Sequence, residues 1–495
     1  MRTHISILAI ASLALESSAL PTGSVQIATI SDIHVNLSTT NQEVFDSAVA
    51  RIGQAHPDLL LITGDLADNG DAATHQYVAE QLAGLELLGT QVYVIPGNHD
   101  LYGTAVTPDE FAACYAAFGY DEAVLRHDAS LSYLAYPCEG LAVLCLDSTR
   151  PADSNGRHSD GGLTDGTLAW ALAAAATAQQ DGRMLIGMMH HPVMEHFDQH
   201  TQLAATYIAN ADTYYYPALE TVQRQLIEAG INVMLSGHFH LQSTQHVVTE
   251  QGELHNIMTG SLASYPSPIR FMALDDNGAL KVISEHQTVY QAELLERNNQ
   301  LIENGIWRMA QTAFPMMDKI KEVVPKAFHG MLRFPADEEE MFDDMNEYLH
   351  PALFDVYNAF AAGDEDQHDP DGLYNATFDA ISSYILYICK GNTMLADLLT
   401  EGFSNTEDMD ENYLALFDSV LRSIVYNYVG EPSNVVADNA IELTLPKPAT
   451  SLQAISQDVT ASRCYTLDGK PLASDMTHTN GMLTLCNSRI TTAVR

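Results

Sequence analysis

A layered α/β fold is predicted for residues 25–290, because short apolar runs alternate there with segments of helical spacing. The apolar runs are continuous, which is typical of strands buried on both faces of a sheet. Most of them end in Gly, Asp or His. These strands are predicted at "VQIATI" (25–30), "LLLIT" (59–63), "QVYVI" (91–95), "MLIGMM" (184–189) and "NVMLS" (232–236).

Helical spacing fills most of the stretches between these strands. A hairpin in the same sheet is predicted from "LSYLAY" (131–136) and "LAVLCLD" (141–147). After residue 255, "HNIMTG" and "IRFMALDDNGALKVISE" indicate further strands, the last two joined by a turn at "DDNG". The helices are predicted at 41–53, 72–88, 167–180 and 218–230.

The pattern changes after residue 290. Segments such as "AELLERNNQLIENGIWRMAQ" have helical spacing and few strand signals, so a mainly helical domain is predicted for residues 291–445. This domain has no catalytic motif and could cover a cleft, bind a partner or mediate oligomerisation. A short β-rich tail is predicted for residues 446–495, and "SRCYTLDGKPLASD" within it resembles C-terminal sorting modules of exported proteins.

The N-terminus resembles a secretory signal peptide over residues 1–20. Arg2 precedes an apolar run, small residues follow, and Pro21 comes after them. The run is too short to span a bilayer, and no later stretch is apolar enough for a membrane helix. We therefore expect an exported protein, periplasmic or extracellular. Export permits disulfides, and Cys464 and Cys486 are a candidate pair in the tail.

The charge of the chain disfavours two classes of partner. The formal net charge is −42, from 64 acidic and 22 basic residues. Such a surface should repel nucleic acid and anionic membranes. A site for an anionic substrate must then contain its own positive charge, most simply as metal ions. The six cysteines have no CxxC spacing, so a cysteine zinc site is not expected.

Polar residues follow five of the predicted strands. The motifs are "SDIH", "TGDLAD", "GNHD", "HHP" and "GHFH". Any one of them has an ordinary explanation, such as a turn or a helix cap. All five at strand ends are hard to attribute to chance, because the carboxyl ends of strands in an α/β sheet converge on one crevice. The candidate ligands are Asp32, His34, Asp65, Asn98, His190, His238 and His240.

Asp, Asn and neutral His are ligands for divalent and trivalent first-row metals. Because an aspartate can bridge two ions, this set offers enough ligands for two metals, with positions left for water and substrate. The identity of the two metals stays open, since Fe, Mn and Zn all accept such a set of nitrogen and oxygen ligands. No nucleophilic serine motif of the GxSxG type occurs.

The order D-x-H, GD, GNH[D/E], H, GHxH resembles the calcineurin-like metallophosphoesterase superfamily over roughly residues 25–285. The resemblance implies a four-layer β-sandwich flanked by helices. It also implies that the first metal is held by Asp32, His34, Asp65 and His240, and the second by Asp65, Asn98, His190 and His238, with Asp65 bridging. In "HHP", the family pattern favours His190 as the ligand and makes His191 a neighbour that could contact substrate.

The resemblance gives "GNHD" a catalytic interpretation. Asn98 binds metal, His99 faces the phosphoryl group or protonates the leaving oxygen, and Asp100 orients His99. A hydroxide generated between the metals would attack phosphorus.

Purple acid phosphatases have a tyrosine ligand three residues after the bridging aspartate, and Asp68 occupies that position here. The pattern is closer to exported cyclic-nucleotide and glycerophosphodiester phosphodiesterases.

Substrate choice is expected from the loops near the last histidine motifs. Tyr215 within "ADTYYYPAL" could stack on a nucleobase, and Tyr265 within "MTGSLASYPSP" could border the cleft. His196 and His200 are weaker candidates. The function expected is hydrolysis of a small-molecule phosphoester, most simply a diester. The alternatives are a phosphomonoesterase or nucleotidase, or a binding protein that lacks catalysis on the same fold.

Overall fold

The computed structural model describes residues 24–101, 106–150, 161–194, 196, 219–323, 326, 329–362, 380, 382–396 and 440–446, with short strands of the tail. The signal peptide predicted for residues 1–20 lies outside this part of the chain. Within the described residues, no helix is long and apolar enough to cross a membrane.

Sixteen strands and seven α-helices are described in chain order. The strands are β1 Val25–Ile30, β2 Leu59–Ile62, β3 Gln91–Val94, β4 Leu125–Arg126, β5 Tyr133–Cys138, β6 Leu141–Leu146, β7 Met184–Met189, β8 Val233–Ser236, β9 Ser243–Thr249, β10 Gly252–Met258, β11 Pro268–Leu274, β12 Ala279–His286, β13 Ala440–Thr444, β14 Cys464–Tyr465, β15 Thr484–Cys486 and β16 Arg489–Thr491. The helices are α1 Thr40–Ala55, α2 Ala72–Leu87, α3 Pro108–Cys114, α4 Asp165–Gln180, α5 Leu219–Glu228, α6 Gln291–Val323 and α7 Glu338–Ala362.

Two mixed sheets form the α/β domain. The six-stranded sheet has the order β13-β12-β11-β1-β2-β3, and the seven-stranded sheet has the order β4-β5-β6-β7-β8-β10-β9. Strands β1, β2 and β3 are parallel to one another, as are β6, β7 and β8. One hydrophobic cluster contains buried residues of both sheets, such as Leu61 and Leu144, together with residues of the helices that flank them.

The predicted α/β fold is confirmed, because every strand and helix expected before residue 290 has a counterpart close to its predicted bounds. Strands β5 and β6 form the expected hairpin. Strands β11 and β12 are joined at "DDNG", where Asp275 and Gly278 close the turn with a backbone hydrogen bond of 3.0 Å. Strands β4 and β9, helix α3 and a π-helical turn at Ala116–Tyr120 were not predicted from the sequence.

Helices α6 and α7 follow the α/β domain and share a second hydrophobic cluster. Its buried members include Ile306 of α6 and Met345 of α7, together with Tyr384. The mainly helical domain was predicted to extend to residue 445. In the structure, Ala440–Thr444 instead form strand β13, which pairs with β12. Ile441 and Leu443 are buried there, while Ala440, Glu442 and Thr444 are exposed, and this alternation is a strand signal in the sequence.

The tail is a separate compact unit over residues 449–495. Its described part is a three-stranded antiparallel sheet of β14, β15 and β16. The backbone register sets Cys464 directly opposite Cys486. The disulfide between them stays a prediction, as does the sorting role of the tail.

Candidate dinuclear metal site

The carboxyl ends of five strands in two sheets supply the candidate site. Strands β1, β2 and β3 of one sheet are followed by the loops that contain Asp32, Asp65 and Asn98. Strands β7 and β8 of the other sheet are followed by His190 and by the "GHFH" loop. Side-chain distances join these loops across the two sheets, so the structure brings together all seven of the ligands expected from the sequence.

A first cluster of ligand atoms lies at the end of β1. The Nε2 atoms of His34 and His240 are 3.1 Å apart. Asp32 Oδ1 lies 3.3 Å from His240 Nε2 and 3.9 Å from His34 Nε2. Asp65 Oδ2 lies 3.6 Å from His34 Nε2. Four side chains therefore present one atom each to a common centre.

A second cluster lies beside the first and includes the same carboxylate. Asp65 Oδ2 is 3.3 Å from His190 Nε2, which is in turn 3.1 Å from Asn98 Oδ1. His238 takes part through Nδ1, at 3.1 Å from Asn98 Oδ1 and 3.3 Å from His190 Nε2. The Oδ2 atom of Asp65 thus belongs to both clusters, which is the position of a bridging ligand.

The spacing of these atoms fits metal coordination. Ligand atoms at about 2.0–2.2 Å from a metal are about 2.8–3.6 Å apart when adjacent and about 4 Å apart when opposite. The separations within the two clusters lie between 3.1 and 3.9 Å. The donors are carboxylate, amide and imidazole groups, which suit Fe, Mn or Zn. The residues therefore fit two metal ions.

The backbone of the ligand loops is strained. Residues other than glycine rarely adopt a left-handed conformation, and each instance costs roughly 1–3 kcal/mol. Such residues cluster at functional sites, where the surrounding structure holds them. Five of the seven candidate ligands have this conformation: Asp32 (φ 49°), His34 (φ 45°), Asp65 (φ 51°), His238 (φ 78°) and His240 (φ 61°).

The glycines that precede three ligands are required by close contact. A Cβ atom on Gly97 would lie 2.2 Å from Asp65 Oδ1, and one on Gly237 would lie 2.3 Å from Asp32 Oδ2. A Cβ atom on Gly64, whose φ is +96°, would lie 2.8 Å from His190 Nδ1. The loops pack so closely that only glycine fits at these three positions.

Hydrogen bonds fix the orientation of the ligands. The Nδ1 N–H of His190 donates to the carbonyl oxygen of Thr63 at 2.8 Å, so Nε2 is the ring atom that faces the cluster. Asp65 Oδ1 accepts from the backbone N–H of His99 at 2.8 Å, which leaves Oδ2 for the metals. Asp32 Oδ2 accepts from the Ser31 hydroxyl at 2.6 Å and from the backbone N–H of His238 at 2.9 Å.

The electrostatics of the cluster favour ionised carboxylates. Burial opposes the charged form of Asp65, but His190 and His34 lower the pKa of Asp65 well below its ordinary value. Burial also opposes a charged His190, yet the carboxylates of Asp65 and Asp32 raise the pKa of His190 to about 9. A metal that binds to His190 would therefore displace a proton from its ring. For His238, burial and the neighbouring histidines hold the pKa well below its ordinary value, so its imidazole is neutral, as a metal ligand must be.

His99 lies at the edge of the first cluster, with its ring centroid 4.6 Å from that of His34. Its side chain is 31% exposed, so a bound molecule can reach it. His99 Nδ1 donates to the carbonyl oxygen of Asp68 at 2.7 Å. Because a carbonyl oxygen only accepts, this bond selects the tautomer with the proton on Nδ1 and leaves Nε2 for chemistry.

Asp100 does not take the position expected from the sequence. Its Oδ2 accepts from the backbone N–H of Gly97 at 2.8 Å, and its Oδ1 accepts from the backbone N–H of Ala67 at 2.9 Å. The carboxylate is fully buried between the β2 and β3 loops. Asp68 orients the His99 ring instead, because the Asp100 carboxylate is occupied in joining the two ligand loops.

His191 lies against the second cluster. Its ring centroid is 4.5 Å from that of His238, and its Nδ1 lies 2.8 Å from the hydroxyl of Ser148. The side chain is almost completely buried and forms a potential metal-binding group with His190 and His238. His191 is therefore a neighbour of the ligands, whereas its contact with substrate stays a prediction.

The remaining substrate candidates are unevenly placed. Tyr265 is half-buried and packs against the main hydrophobic cluster. His196 is buried, with Nδ1 3.0 Å from Ser243 Oγ and Nε2 3.2 Å from Asn256 Oδ1, and burial lowers its pKa to about 4. These contacts give His196 a structural role at strands β9 and β10. Tyr215 and His200 lie outside the described residues.

Three residues support the site in ways that were not predicted from the sequence. Asp68 holds His99 through its carbonyl and has its Oδ1 3.6 Å from His34 Nδ1. Ser31 and Ser148 donate to or accept from residues of the cluster. The spacing "GDLAD" was the available signal for Asp68, since it puts a second acid three residues after Asp65. Ser148 follows β6, whose carboxyl end has no ligand motif.

Comparison with known families and proteins agrees with this geometry. Residues 25–242 match the family described as calcineurin-like phosphoesterase. A protein of Rhodococcus erythropolis named "Probable cyclic nucleotide phosphodiesterase" is 32% identical over 163 residues, which cover 32% of this chain and 46% of that protein. A protein of Mycobacterium tuberculosis named "cAMP/cGMP dual specificity phosphodiesterase" is 31% identical over 143 residues, which cover 28% of this chain and 37% of that protein.

Two further proteins are similar to this chain. An Arcobacter nitrofigilis protein named "Probable glycerophosphodiester phosphodiesterase" is 29% identical over 192 residues, or 38% of this chain and 58% of that protein. The chain thus spans about half the length of the curated relatives it matches. A crystal structure described as a dimetal phosphatase from Danio rerio has a TM-score of 0.40 at 12% identity, covering 53% of this chain and 96% of that one.

Gly97→Ala should abolish binding of the second metal. The added methyl group would overlap Asp65 Oδ1 and the backbone nitrogen of Asp65, and both are backed by the packed β2 loop. Metal content per chain, measured by elemental analysis after dialysis, should fall from two ions to one or none. Gly84→Ala is the matched control, because a Cβ atom at this position of α2 meets nothing within 4 Å. Two ions retained in Gly97→Ala would contradict the assigned packing.

Asp100→Asn should destabilise the fold. An amide in place of the carboxylate sets an NH2 group against the backbone N–H of either Gly97 or Ala67. One buried donor then lacks an acceptor, which should lower the free energy of unfolding by about 1–3 kcal/mol. Chemical denaturation measures this loss, with the exposed Asp276→Asn as the control. Unchanged stability with reduced turnover would instead support the catalytic role first expected for Asp100.

Proposed function

We propose that this chain is a metal-dependent phosphoester hydrolase with a preference for phosphodiesters, and that its activity resides in the α/β domain that contains residues 25–242, the part similar to the calcineurin-like phosphoesterase family. The observation that carries the proposal is the pair of ligand clusters that share Asp65 Oδ2, with His99 beside them. Metal ions bound there would polarise phosphoryl oxygens and lower the pKa of a bound water.

The residues of the chain have distinct tasks in this proposal. Asp65 and its backbone partner His99 keep the two clusters at a fixed separation, because one carboxylate oxygen is held by the N–H and the other is shared. The His99 ring, held through Nδ1 by the Asp68 carbonyl, offers Nε2 to the leaving oxygen. In its protonated form His99 donates a proton to that oxygen as the bond to phosphorus breaks.

Charge supports a diester as the substrate. Near neutral pH a phosphodiester has one negative charge, whereas a monoester has close to two. The sequence has no Lys or Arg between residues 184 and 223, the stretch that connects the His190 loop to α5. Arg51 pairs with Glu285, and Arg183 donates to the carbonyl oxygens of Cys138 and Leu141. Bound metals would then supply positive charge to the substrate, and a monoanion needs less of it than a dianion.

The named relatives support the same choice. The proteins of Rhodococcus erythropolis and Mycobacterium tuberculosis are named as cyclic-nucleotide phosphodiesterases, and that of Arcobacter nitrofigilis as a glycerophosphodiester phosphodiesterase. All three names describe hydrolysis of diesters. The second candidate, a phosphomonoesterase, differs from the proposal in the charge that the substrate brings to the same clusters.

His99→Ala should reduce turnover without loss of metal. Removal of a general acid typically lowers kcat by about 10²–10⁴-fold. The backbone N–H of His99, which holds Asp65, remains in the variant, so two metals should still bind. Initial rates with an aryl phosphodiester and elemental analysis of the same sample measure both quantities. Full activity in the metal-loaded variant would rule out His99 as the proton donor. Absence of turnover in the metal-loaded wild type, with diesters and monoesters alike, would refute the hydrolase.

The dependence of kcat/KM on ionic strength should differ between anionic and zwitterionic substrates. The net charge of −42 repels an anionic substrate, and salt screens that repulsion. The kcat/KM for bis(4-nitrophenyl) phosphate should therefore rise about two- to fivefold between low and physiological ionic strength. The zwitterionic 4-nitrophenyl phosphorylcholine serves as the control and should respond little. A larger kcat/KM for 4-nitrophenyl phosphate than for the diester would favour the phosphomonoesterase, and a fall of kcat/KM with salt would indicate a cationic subsite.

A further inference from the structure

The first turns of helix α6 belong to the α/β domain. Leu294 is fully buried in the main hydrophobic cluster. Gln291 Nε2 donates to the carbonyl oxygen of Pro266 at 3.1 Å, and Gln287, just before the helix, donates to Ser267 Oγ at 2.9 Å. The same helix continues into the second cluster at Ile302 and Ile306. One helix therefore connects the core around the metal site to the core of the helical region.

A chain of polar contacts runs from this helix to a metal ligand. Arg297 of α6 donates through Nη1 to the Oδ1 atom of Asn41 at the start of α1. Asn41 Nδ2 in turn donates to the backbone carbonyl oxygen of His34 at 2.8 Å. Glu293, one turn before Arg297, lies 3.3 Å from Arg297 Nη2 and accepts from the Thr40 hydroxyl. Both ends of the Asn41 amide are thus fixed.

The carbonyl group of His34 is a sensitive point in the site. His34 is a candidate ligand of the first metal and has a left-handed backbone with φ of 45°. Such a conformation persists only where neighbouring groups hold it. Asn41 supplies a donor to this strained residue through Nδ2, and its Oδ1 accepts from Arg297. With the amide turned over, its oxygen would face the His34 carbonyl and the two acceptors would repel each other.

We infer that Arg297 is a positioning residue for the first metal site and acts through Asn41, so that helix α6 couples the helical region to His34. The inference rests on the proposed function only in that the two clusters bind metal. It assigns a task to the helical region, which lies beyond the residues that match the family. Arg297 does not touch substrate or metal in this proposal.

Exposed ion pairs contribute little to stability, and this one is partly exposed, with Arg297 at 34% and Glu293 at 50%. If Arg297 has only a structural role, removal of its charge should therefore have almost no effect on the free energy of unfolding or on the metal affinity. A positioning role predicts a loss of metal affinity at one of the two sites, because groups that orient ligands typically change affinity by about 10–100-fold. Metal affinity consequently distinguishes the two roles.

The experiment compares Arg297→Met, Asn41→Ala and the double variant in competition with a chromophoric zinc chelator. Asn41→Ala should lower the affinity of one site about tenfold or more, and Arg297→Met about three- to tenfold. The double variant should match Asn41→Ala alone, because Arg297 acts only through Asn41. In an Asn98→Ala background, which lacks a ligand of the second cluster, the effect of Arg297→Met on the remaining site should persist.

Arg51→Met is the matched control. Arg51 also lies at the interface of α1, is 38% exposed and forms an ion pair with Glu285, but it has no contact with Asn41 or His34 in the described structure. Its removal should leave both zinc affinities unchanged.

Three results would overturn the inference. They are unchanged zinc affinity in Arg297→Met, an equal loss in Arg51→Met, or a further loss when Arg297→Met is added to Asn41→Ala. If the wild type binds no zinc, manganese or iron, the proposed function fails as well. If the wild type binds two metals and Arg297→Met binds them equally well, only the inference about α6 fails.

Discussion

The carboxylate of Asp65 is the interaction on which the site depends. It is buried, and its two oxygens have different partners: Oδ1 accepts from the backbone N–H of His99, while Oδ2 faces His34 and His190. A buried carboxylate is costly unless it is paired with positive charge and hydrogen-bonded. Here the hydrogen bond comes from the β3 loop, and the positive charge must come from the clusters. Because Asp65 Oδ2 is shared by both clusters, this carboxylate fixes the distance between them.

Two sheets are needed to surround that carboxylate. The parallel strands β1, β2 and β3 bring Asp32, Asp65 and Asn98 to one edge, and β7 and β8 bring the histidines from the other sheet. The loops meet so closely that glycine is required before three ligands. The left-handed backbone of His238 is held because its N–H donates to Asp32. The carboxylate of Asp100 accepts from Gly97 and Ala67 and so joins the β2 and β3 loops.

The chain beyond residue 290 is joined to this arrangement at two places. Strand β13 extends the six-stranded sheet and buries Ile441 and Leu443 in the same cluster as the α/β domain. Helix α6 starts in that cluster and passes into a second one. The contact of Arg297 with Asn41 lies at the start of the helix, where a small displacement would reach the backbone of His34. The helical region is thus connected to the ligand loops by covalent continuity and by polar contacts.

The sequence by itself determined the α/β fold and predicted the seven candidate ligands that the structure brings together. Continuous apolar runs define buried strands, and a polar motif at each strand end must lie at the edge of a sheet, so the local pattern was sufficient. Strand β13 was overlooked because its short alternation is far from its partner β12 in the chain. Only the tertiary structure decided the tasks of Asp68 and Asp100, because both acids lie in the motifs and only the direction of their hydrogen bonds distinguishes them. The contact between Arg297 and Asn41 joins residues 256 positions apart, and no local pattern encodes such a pairing.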